Sequence, residues 1–213
     1  MSGAAVSIVI FGIGFGIAAR HAGMEGWIAT GMSALVFAGG AQFAALDFWH
    51  APLPWIPLLL ATVAVNARHI LYGATLHSWF SKLSPIRRYA AVALLSDANW
   101  ASSIRAFDRG ERDVGHLIGG GILLWTTWVL GTVLGIALGA QFGEPERFGL
   151  DVILPAFFAC MLIDLAKDRS DALPWSAAAL SALAAIKFLP PHWHLLVGAI
   201  VGGVVGAVIN ARR

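Results

Sequence analysis

The sequence predicts an all-α protein, a polytopic integral membrane bundle in which some helices are broken or re-entrant. Hydrophobic residues make up 58% of the 213 residues, charged residues only 12%, and the mean hydropathy is +0.75. Soluble domains carry about 25% charged residues, so this chain has too few charges to cover a soluble globule. The net charge of +2 comes from short Lys and Arg clusters between apolar segments, a pattern typical of cytoplasmic loops. We therefore expect a chain embedded in the lipid bilayer that binds no nucleic acid.

Eight apolar segments follow one another with only short connections between them. A spanning helix needs about 20 mainly apolar residues. The segments are residues 5–19, 27–47, 54–76, 88–104, 115–140, 150–166, 174–189 and 192–210. Because no Pro- and Ser-rich linker divides the chain, we predict one integral membrane transporter domain over residues 1–213. The lone Cys160 excludes an intrachain disulfide.

Glycines interrupt the first two segments. Gly12, Gly14 and Gly16 lie in the first segment, and each costs about 1 kcal/mol relative to Ala in a helix interior. The pattern indicates either a close-packing face or a bend. This segment has the length of a signal-peptide core, but no basic region precedes it, so we expect it to belong to the mature fold. In the second segment, Gly39 and Gly40 predict a break.

The third segment ends in a polar run that carries Asn66, Arg68, His69 and Tyr72. A charge at bilayer depth costs about 2.5 to 3.5 kcal/mol on insertion scales, and such residues usually face a bundle interior or a substrate pathway. The run therefore predicts a transporter.

The fourth segment is too polar to face lipid, and we expect it to be buried or re-entrant. Its polar residues are Ser96, Asp97, Asn99, Ser102 and Ser103. Basic clusters at Lys82 to Arg88 and at Arg105 to Arg112 flank it, so a segment that enters and returns would leave both clusters in the cytoplasm. A full eight-span bundle is the alternative. In the sixth segment, Pro155 predicts a kink or a helix start.

Specific motifs in these segments resemble the AzlC family, the large subunit of a bacterial branched-chain amino acid exporter. The most specific matches are Phe37-Ala38-Gly39-Gly40-Ala41-Gln42-Phe43 and Asn66-Ala67-Arg68-His69-Ile70-Leu71-Tyr72-Gly73. Further agreement lies at Phe15-Gly16-Ile17-Ala18, Leu95-Ser96-Asp97-Ala98, Trp128-Val129-Leu130-Gly131-Thr132 and Leu150-Asp151-Val152-Ile153-Leu154-Pro155-Ala156.

The resemblance implies a multi-pass protein of the bacterial inner membrane that works with a small AzlD-type membrane subunit. Such pairs are associated with efflux of valine, leucine, isoleucine and related hydrophobic amino acids, driven by an ion gradient. No Gly-x-x-x-x-Gly-Lys-Ser/Thr loop occurs in the sequence. We therefore expect secondary transport without ATP or any other cofactor.

Eight residues are the candidates for transport chemistry. The predicted substrate-binding residues are Gly39, Gly40, Gln42, Asn66, Arg68 and Tyr72. The predicted ion-coupling residues are His69, since histidine changes charge near neutral pH, and Asp97, the one carboxylate well inside an apolar segment.

Each candidate also has a structural interpretation. Gln42 could form a helix–helix hydrogen bond, and His69 could be a packed imidazole. Arg68 could hold a substrate carboxylate, anchor Asp97, or reach the headgroups.

A channel for small solutes, lined by re-entrant glycine-rich segments, is the alternative to a transporter. A membrane enzyme is not expected, because no nucleophile elbow or zinc-binding helix motif occurs. His192 and His194 would face opposite sides of a helix, so we predict no metal site.

Overall fold

The computed structural model of the protein describes residues 2–111, 113–140, 172–189 and 193–211, with single positions at Ala159 and Ile163. All regular elements within these residues are α-helices. They are α1 (Ser2–His21), α2 (Gly26–Val36), α3 (Gly39–Leu46), α4 (Trp55–Asn66), α5 (Arg68–Phe80), α6 (Pro85–Ala93), α7 (Asp97–Asp108), α8 (Gly115–Gly139), α9 (Ala172–Phe188) and α10 (Trp193–Ala211). Apart from Ala159 and Ile163, the predicted segment 150–166, with Pro155 and Cys160, lies outside the described residues, as do Arg112 and His192.

Two stretches of the described chain are long and apolar enough to cross a membrane. They are Trp55–Phe80, which joins α4 and α5, and Gly115–Gly139, which is α8. At 1.5 Å per residue, α8 is about 37 Å long, more than the roughly 30 Å thickness of the hydrocarbon core. Large apolar side chains point outward from both stretches, among them Ile70, Leu71 and Leu130. The predicted all-α membrane fold is confirmed.

Helix α1 packs along α8 through glycines on both helices. It is one continuous helix over Ser2–His21, so its glycines form a close-packing face and the bend that was the alternative does not occur. A Cβ added to Gly12 would lie 2.7 Å from the carbonyl oxygen of Trp128. Small residues of this kind let membrane helices approach backbone to backbone.

The predicted break in the second segment occurs, and it falls at Phe37 and Ala38, between α2 and α3. Phe37 adopts a left-handed conformation, with φ of 36° and ψ of 47°. Gly39 follows the break and begins α3, where an added Cβ would lie 2.8 Å from Cη2 of Trp128. Gly39 is therefore required for the close approach of the Trp128 ring, whereas Phe37 makes the turn.

The third segment, predicted at 54–76, forms α4 and α5, and the regular helical hydrogen-bond pattern is interrupted at Ala67 between them. The amide of Ile70 donates to the carbonyl of Ala67, three residues back, at 3.1 Å. The Nδ1 atom of His69 lies 3.2 Å from the carbonyl oxygen of Asn66. The imidazole thus supplies a hydrogen-bond partner at the point where the regular helical ladder is disturbed.

The fourth segment consists of two short helices, α6 and α7, separated at Leu94 to Ser96.

Buried apolar side chains form two clusters along α8. The first contains Phe15, Phe43 and Trp128 and joins α1, α3 and α8. The second contains Tyr72, Leu76, Trp79, Phe80, Ala91, Leu95, Val114 and Leu117. The polar residues predicted from sequence lie beside these two clusters.

Candidate functional site

A cluster of charged and polar side chains connects α5 to α7. The Nη2 atom of Arg68 lies 3.1 Å from Oδ2 of Asp97. Tyr72, one helical turn after Arg68 on α5, donates its hydroxyl to Oδ1 of Asp97 at 2.6 Å. Each carboxylate oxygen therefore faces a separate donor from α5. We refer to Arg68, Tyr72 and Asp97 as the charge cluster.

The two charges of this cluster differ in accessibility. The side chain of Arg68 is 18% exposed, whereas that of Asp97 is 42% exposed. The Arg68 side chain is therefore the more buried of the two, and the carboxylate of Asp97 is partly open to the surface.

The break before α7 places Asp97 in the first turn of that helix. Asn99, which is buried, accepts a hydrogen bond from the backbone amide of Ser96 at 2.7 Å and donates to the carbonyl of Leu94 at 2.6 Å. Asn99 therefore satisfies backbone groups on both sides of the break. A negative charge in the first turn is also favoured by the helix dipole.

Aromatic side chains fix the Tyr72 hydroxyl. The Tyr72 ring stacks on Trp100, with centroids 4.5 Å apart and an interplanar angle of 18°. The indole of Trp100 donates to Oγ1 of Thr75 at 2.9 Å. His69 meets the Tyr72 ring edge-on at 5.4 Å.

Three of these supporting residues were not predicted as part of the site. Asn99 could have been found from the spacing Ser96-x-x-Asn99, which resembles a capping box. Trp100 and Thr75 carry no sequence signal that distinguishes them from other helix-packing residues.

Asn66 precedes the interruption at Ala67. Its Oδ1 atom is buried and accepts no hydrogen bond from the residues that the structure describes. A buried acceptor of this kind is costly to leave unsatisfied, at roughly 1 to 3 kcal/mol. It is therefore a candidate to receive a donor from a bound molecule.

The second group of polar residues forms a closed network in the protein interior. Gln42 is fully buried; its Nε2 donates to Ser33 Oγ at 3.0 Å, and its Oε1 accepts from the indole of Trp128 at 2.9 Å. Ser33 and Thr132 are joined at 2.8 Å, and Thr132 donates to the carbonyl of Trp128 at 3.0 Å. We call Ser33, Gln42, Trp128 and Thr132 the Gln42 network.

The eight predicted residues thus lie in two settings. Gly39, Gly40 and Gln42 belong to α3 and the Gln42 network. Asn66, Arg68, His69, Tyr72 and Asp97 lie around the charge cluster. Their roles in substrate binding and ion coupling stay predictions.

Neither setting resembles a metal centre. In the described ranges, three or more His, Cys, Asp or Glu residues do not meet in a group that could hold a metal ion.

Comparison with known proteins places this arrangement in a family. The sequence matches the family described as AzlC protein over residues 4–142. It is 28% identical to the "Inner membrane protein YgaZ" of Escherichia coli (strain K12), over 97% of this chain and 86% of that protein. It is 25% identical to the "Branched-chain amino acid transport protein AzlC" of Bacillus subtilis (strain 168), over 73% of this chain and 61% of that protein.

The similarity extends to archaea. An "Uncharacterized membrane protein" of Archaeoglobus fulgidus is 26% identical over 92% of this chain and 84% of that protein. No solved structure matches the chain. The family match covers more than half of the chain, and the family consists of membrane transport proteins, not enzymes. This chain belongs to the AzlC family of membrane transport proteins.

Proposed function

We propose that this protein is the large subunit of a secondary exporter for branched-chain and related hydrophobic amino acids. In this proposal it spans the bacterial inner membrane several times, works with a small AzlD-type membrane subunit and is driven by an ion gradient. The name of the Bacillus subtilis relative, a branched-chain amino acid transport protein, supports the substrate class. The direction, the energy source and the partner go beyond that name.

The observation that carries the proposal is the charge cluster, in which Arg68 and Tyr72 of the apolar stretch Trp55–Phe80 contact Asp97 of α7. An ionisable pair in a membrane helix is expensive and usually marks a substrate or ion pathway. A free amino acid carries one carboxylate and one ammonium. Arg68 and Tyr72 offer donors suited to the carboxylate, and the buried Oδ1 of Asn66 offers an acceptor suited to the ammonium.

In this proposal the substrate also contacts Gly39, Gly40 and Gln42 of the second setting, with its aliphatic side chain near Phe37, Phe43 or Phe15. An apolar pocket discriminates one methylene by only about 1 to 3 kcal/mol. Valine, leucine, isoleucine and methionine should therefore compete. We assign ion coupling to His69 and Asp97.

The experiment measures export of labelled valine from cells that express this chain together with its neighbouring small membrane protein. The cells are loaded with a valine-containing dipeptide. Export that requires both proteins and collapses with an uncoupler supports the proposal. Arg68→Ala should abolish it, whereas Arg105→Ala, which removes an exposed arginine from α7, should not. Unchanged flux through correctly inserted Arg68→Ala would remove Arg68 from the mechanism.

A channel for small solutes is the second candidate, because α2 and α3 are separated by a break, as are α6 and α7. Broken helices of this kind can line an aqueous pathway. Valine flux that only follows its own concentration gradient, and that an uncoupler leaves unchanged, would favour the channel. Accumulation against the gradient would exclude it.

A further inference from the structure

We propose that Asp97 and the carboxylate of the transported amino acid bind in turn to the same two donors, Arg68 and Tyr72. The two carboxylates exchange during transport. This inference rests on the proposed function and adds the event that loads the site. Asp97 then competes with the substrate carboxylate for Arg68 and Tyr72.

Chemical identity is the first argument. The side chain of aspartate and the α-carboxylate of an amino acid are the same group, with two equivalent oxygens. Arg68 faces one oxygen of Asp97 at 3.1 Å, and the Tyr72 hydroxyl donates to the other at 2.6 Å. Donors arranged in this way recognise any carboxylate that reaches them, because arginine binds carboxylates through directed, charge-assisted hydrogen bonds.

The cost of an unpaired charge is the second argument. Removing the partner of a buried charge leaves it without compensation, which is strongly unfavourable. Exchange of one carboxylate for another keeps the Arg68 guanidinium paired before and after loading. The displaced carboxylate of Asp97, whose side chain is 42% exposed, is then hydrated.

The positions of the two partners are the third argument. Arg68 and Tyr72 both lie on α5 and move together, whereas Asp97 lies on α7, directly after the break at Leu94 to Ser96. The Asp97 side chain is also the more exposed partner, at 42% against 18% for Arg68. The carboxylate is therefore the partner that can leave, while Tyr72 is held by stacking against Trp100.

The test measures binding of L-valine and of valinamide to the protein co-purified with its small partner in lipid nanodiscs. Valinamide has the same side chain and ammonium but no carboxylate. Asp97→Asn keeps the shape of the side chain and removes the competing charge. We expect it to lower the Kd for valine several-fold, to leave the Kd for valinamide unchanged or raised, and to slow valine export. Asp108→Asn, at the exposed end of α7, is the matched control and should change neither Kd.

A second measurement uses the unmodified protein, so that it does not depend on the folding of a variant. A water-soluble carbodiimide labels accessible carboxylates, and mass spectrometry reports the labelled fraction of Asp97. Saturating valine should increase labelling of Asp97, and valinamide should not. Unchanged or reduced labelling with valine would overturn the exchange.

The outcomes separate the two proposals. If the unmodified protein binds valine but Asp97→Asn weakens that binding or leaves it unchanged, the exchange is wrong and the proposed function stands. If the unmodified protein binds neither valine nor related amino acids, the proposed function fails and the exchange fails with it.

Discussion

Gly12 of α1 and Gly131 of α8 meet backbone to backbone: a Cβ added to Gly131 would lie 3.0 Å from the Cα atom of Gly12 and 2.6 Å from the carbonyl oxygen of Val9. The contact joins the first helix to the longest described helix. Because backbone atoms cannot move aside as a side chain can, even a methyl group at Gly131 forces the two helices apart.

Substitution of Gly131 by alanine should therefore destabilise the protein. Overpacking costs about 1 to 3 kcal/mol, whereas the helix propensity of alanine returns about 1 kcal/mol. Gly119→Ala in the same helix is the control, since an added Cβ at Gly119 meets nothing within 4 Å. In detergent, the midpoint of thermal unfolding should be higher for Gly119→Ala than for the unmodified protein, and lower for Gly131→Ala. Equal stability of the two variants would show that the helices separate without cost.

The Gln42 network should contribute to stability through Thr132. Because the Thr132 hydroxyl donates to the Trp128 carbonyl, it accepts from Ser33, so Thr132→Val leaves the buried Ser33 donor unpaired, at a cost of about 1 to 3 kcal/mol. Thr126→Val is the matched control, because the Thr126 hydroxyl is exposed and donates only to Ile122 within its own helix. In mixed micelles, the denaturation midpoint should therefore be lower for Thr132→Val than for Thr126→Val. Identical midpoints would contradict the prediction.

The same network allows the predicted substrate role of Gln42 to be tested apart from its structural role. Gln42→Leu and Thr132→Val both interrupt the network. If Gln42 also contacts substrate, Gln42→Leu should raise the Kd for valine well beyond the effect of Thr132→Val at similar stability. A matched rise in both variants would mean that Gln42 acts only through packing.

Sequence reasoning located the long helices better than their interruptions. Helix α8 was predicted at 115–140 and lies at Gly115–Gly139, because its apolar run is continuous. The interruption at Ala67 was missed, since neither glycine nor proline marks it and the His69 side chain takes part in it. The polarity of the fourth segment predicted that it is buried or re-entrant, but not the break at Leu94 to Ser96, whose position depends on hydrogen bonds of Asn99.

The candidate site shows the same limit. The sequence identified Arg68, Tyr72 and Asp97 as costly polar groups in apolar segments, because composition alone reveals such groups. The sequence did not decide whether Arg68 holds a substrate carboxylate, anchors Asp97 or reaches the headgroups, since the choice depends on how α5 and α7 approach each other. The stacking of Trp100 on Tyr72 depends on that same approach, so hydropathy and spacing could not reveal it.

Replacement of His69 should separate coupling from substrate movement. If His69 couples an ion to export, His69→Gln should retain exchange of labelled for unlabelled valine and lose accumulation against a gradient. The control is His77→Gln, which removes an exposed histidine from the last turn of the same helix. Both fluxes are measured in proteoliposomes that contain the small partner. Normal uphill transport by His69→Gln would restrict His69 to its contact with the Asn66 carbonyl.

Arg88 should stabilise the end of α5, unlike its neighbour Arg87. Its Nε donates to the carbonyl of Phe80 at 3.2 Å, and its Nη2 donates to the carbonyls of Ser81 at 3.4 Å and Leu83 at 3.3 Å. A cation at a helix C-terminus contributes about 0.3 to 1 kcal/mol. Thermal unfolding should therefore show a larger loss for Arg88→Ala than for Arg87→Ala.

Comparison of Arg88→Ala with Arg87→Ala also distinguishes an effect on the end of α5 from an effect on membrane topology. Both substitutions remove one positive charge from the same connection, so any change in membrane orientation through the positive-inside effect should be equal in the two variants. Proteolysis of the connection between α5 and α6 should increase only in Arg88→Ala, because only that variant loses the contacts with the carbonyls of Phe80, Ser81 and Leu83. Equal proteolysis of both would mean that water replaces the guanidinium at no cost.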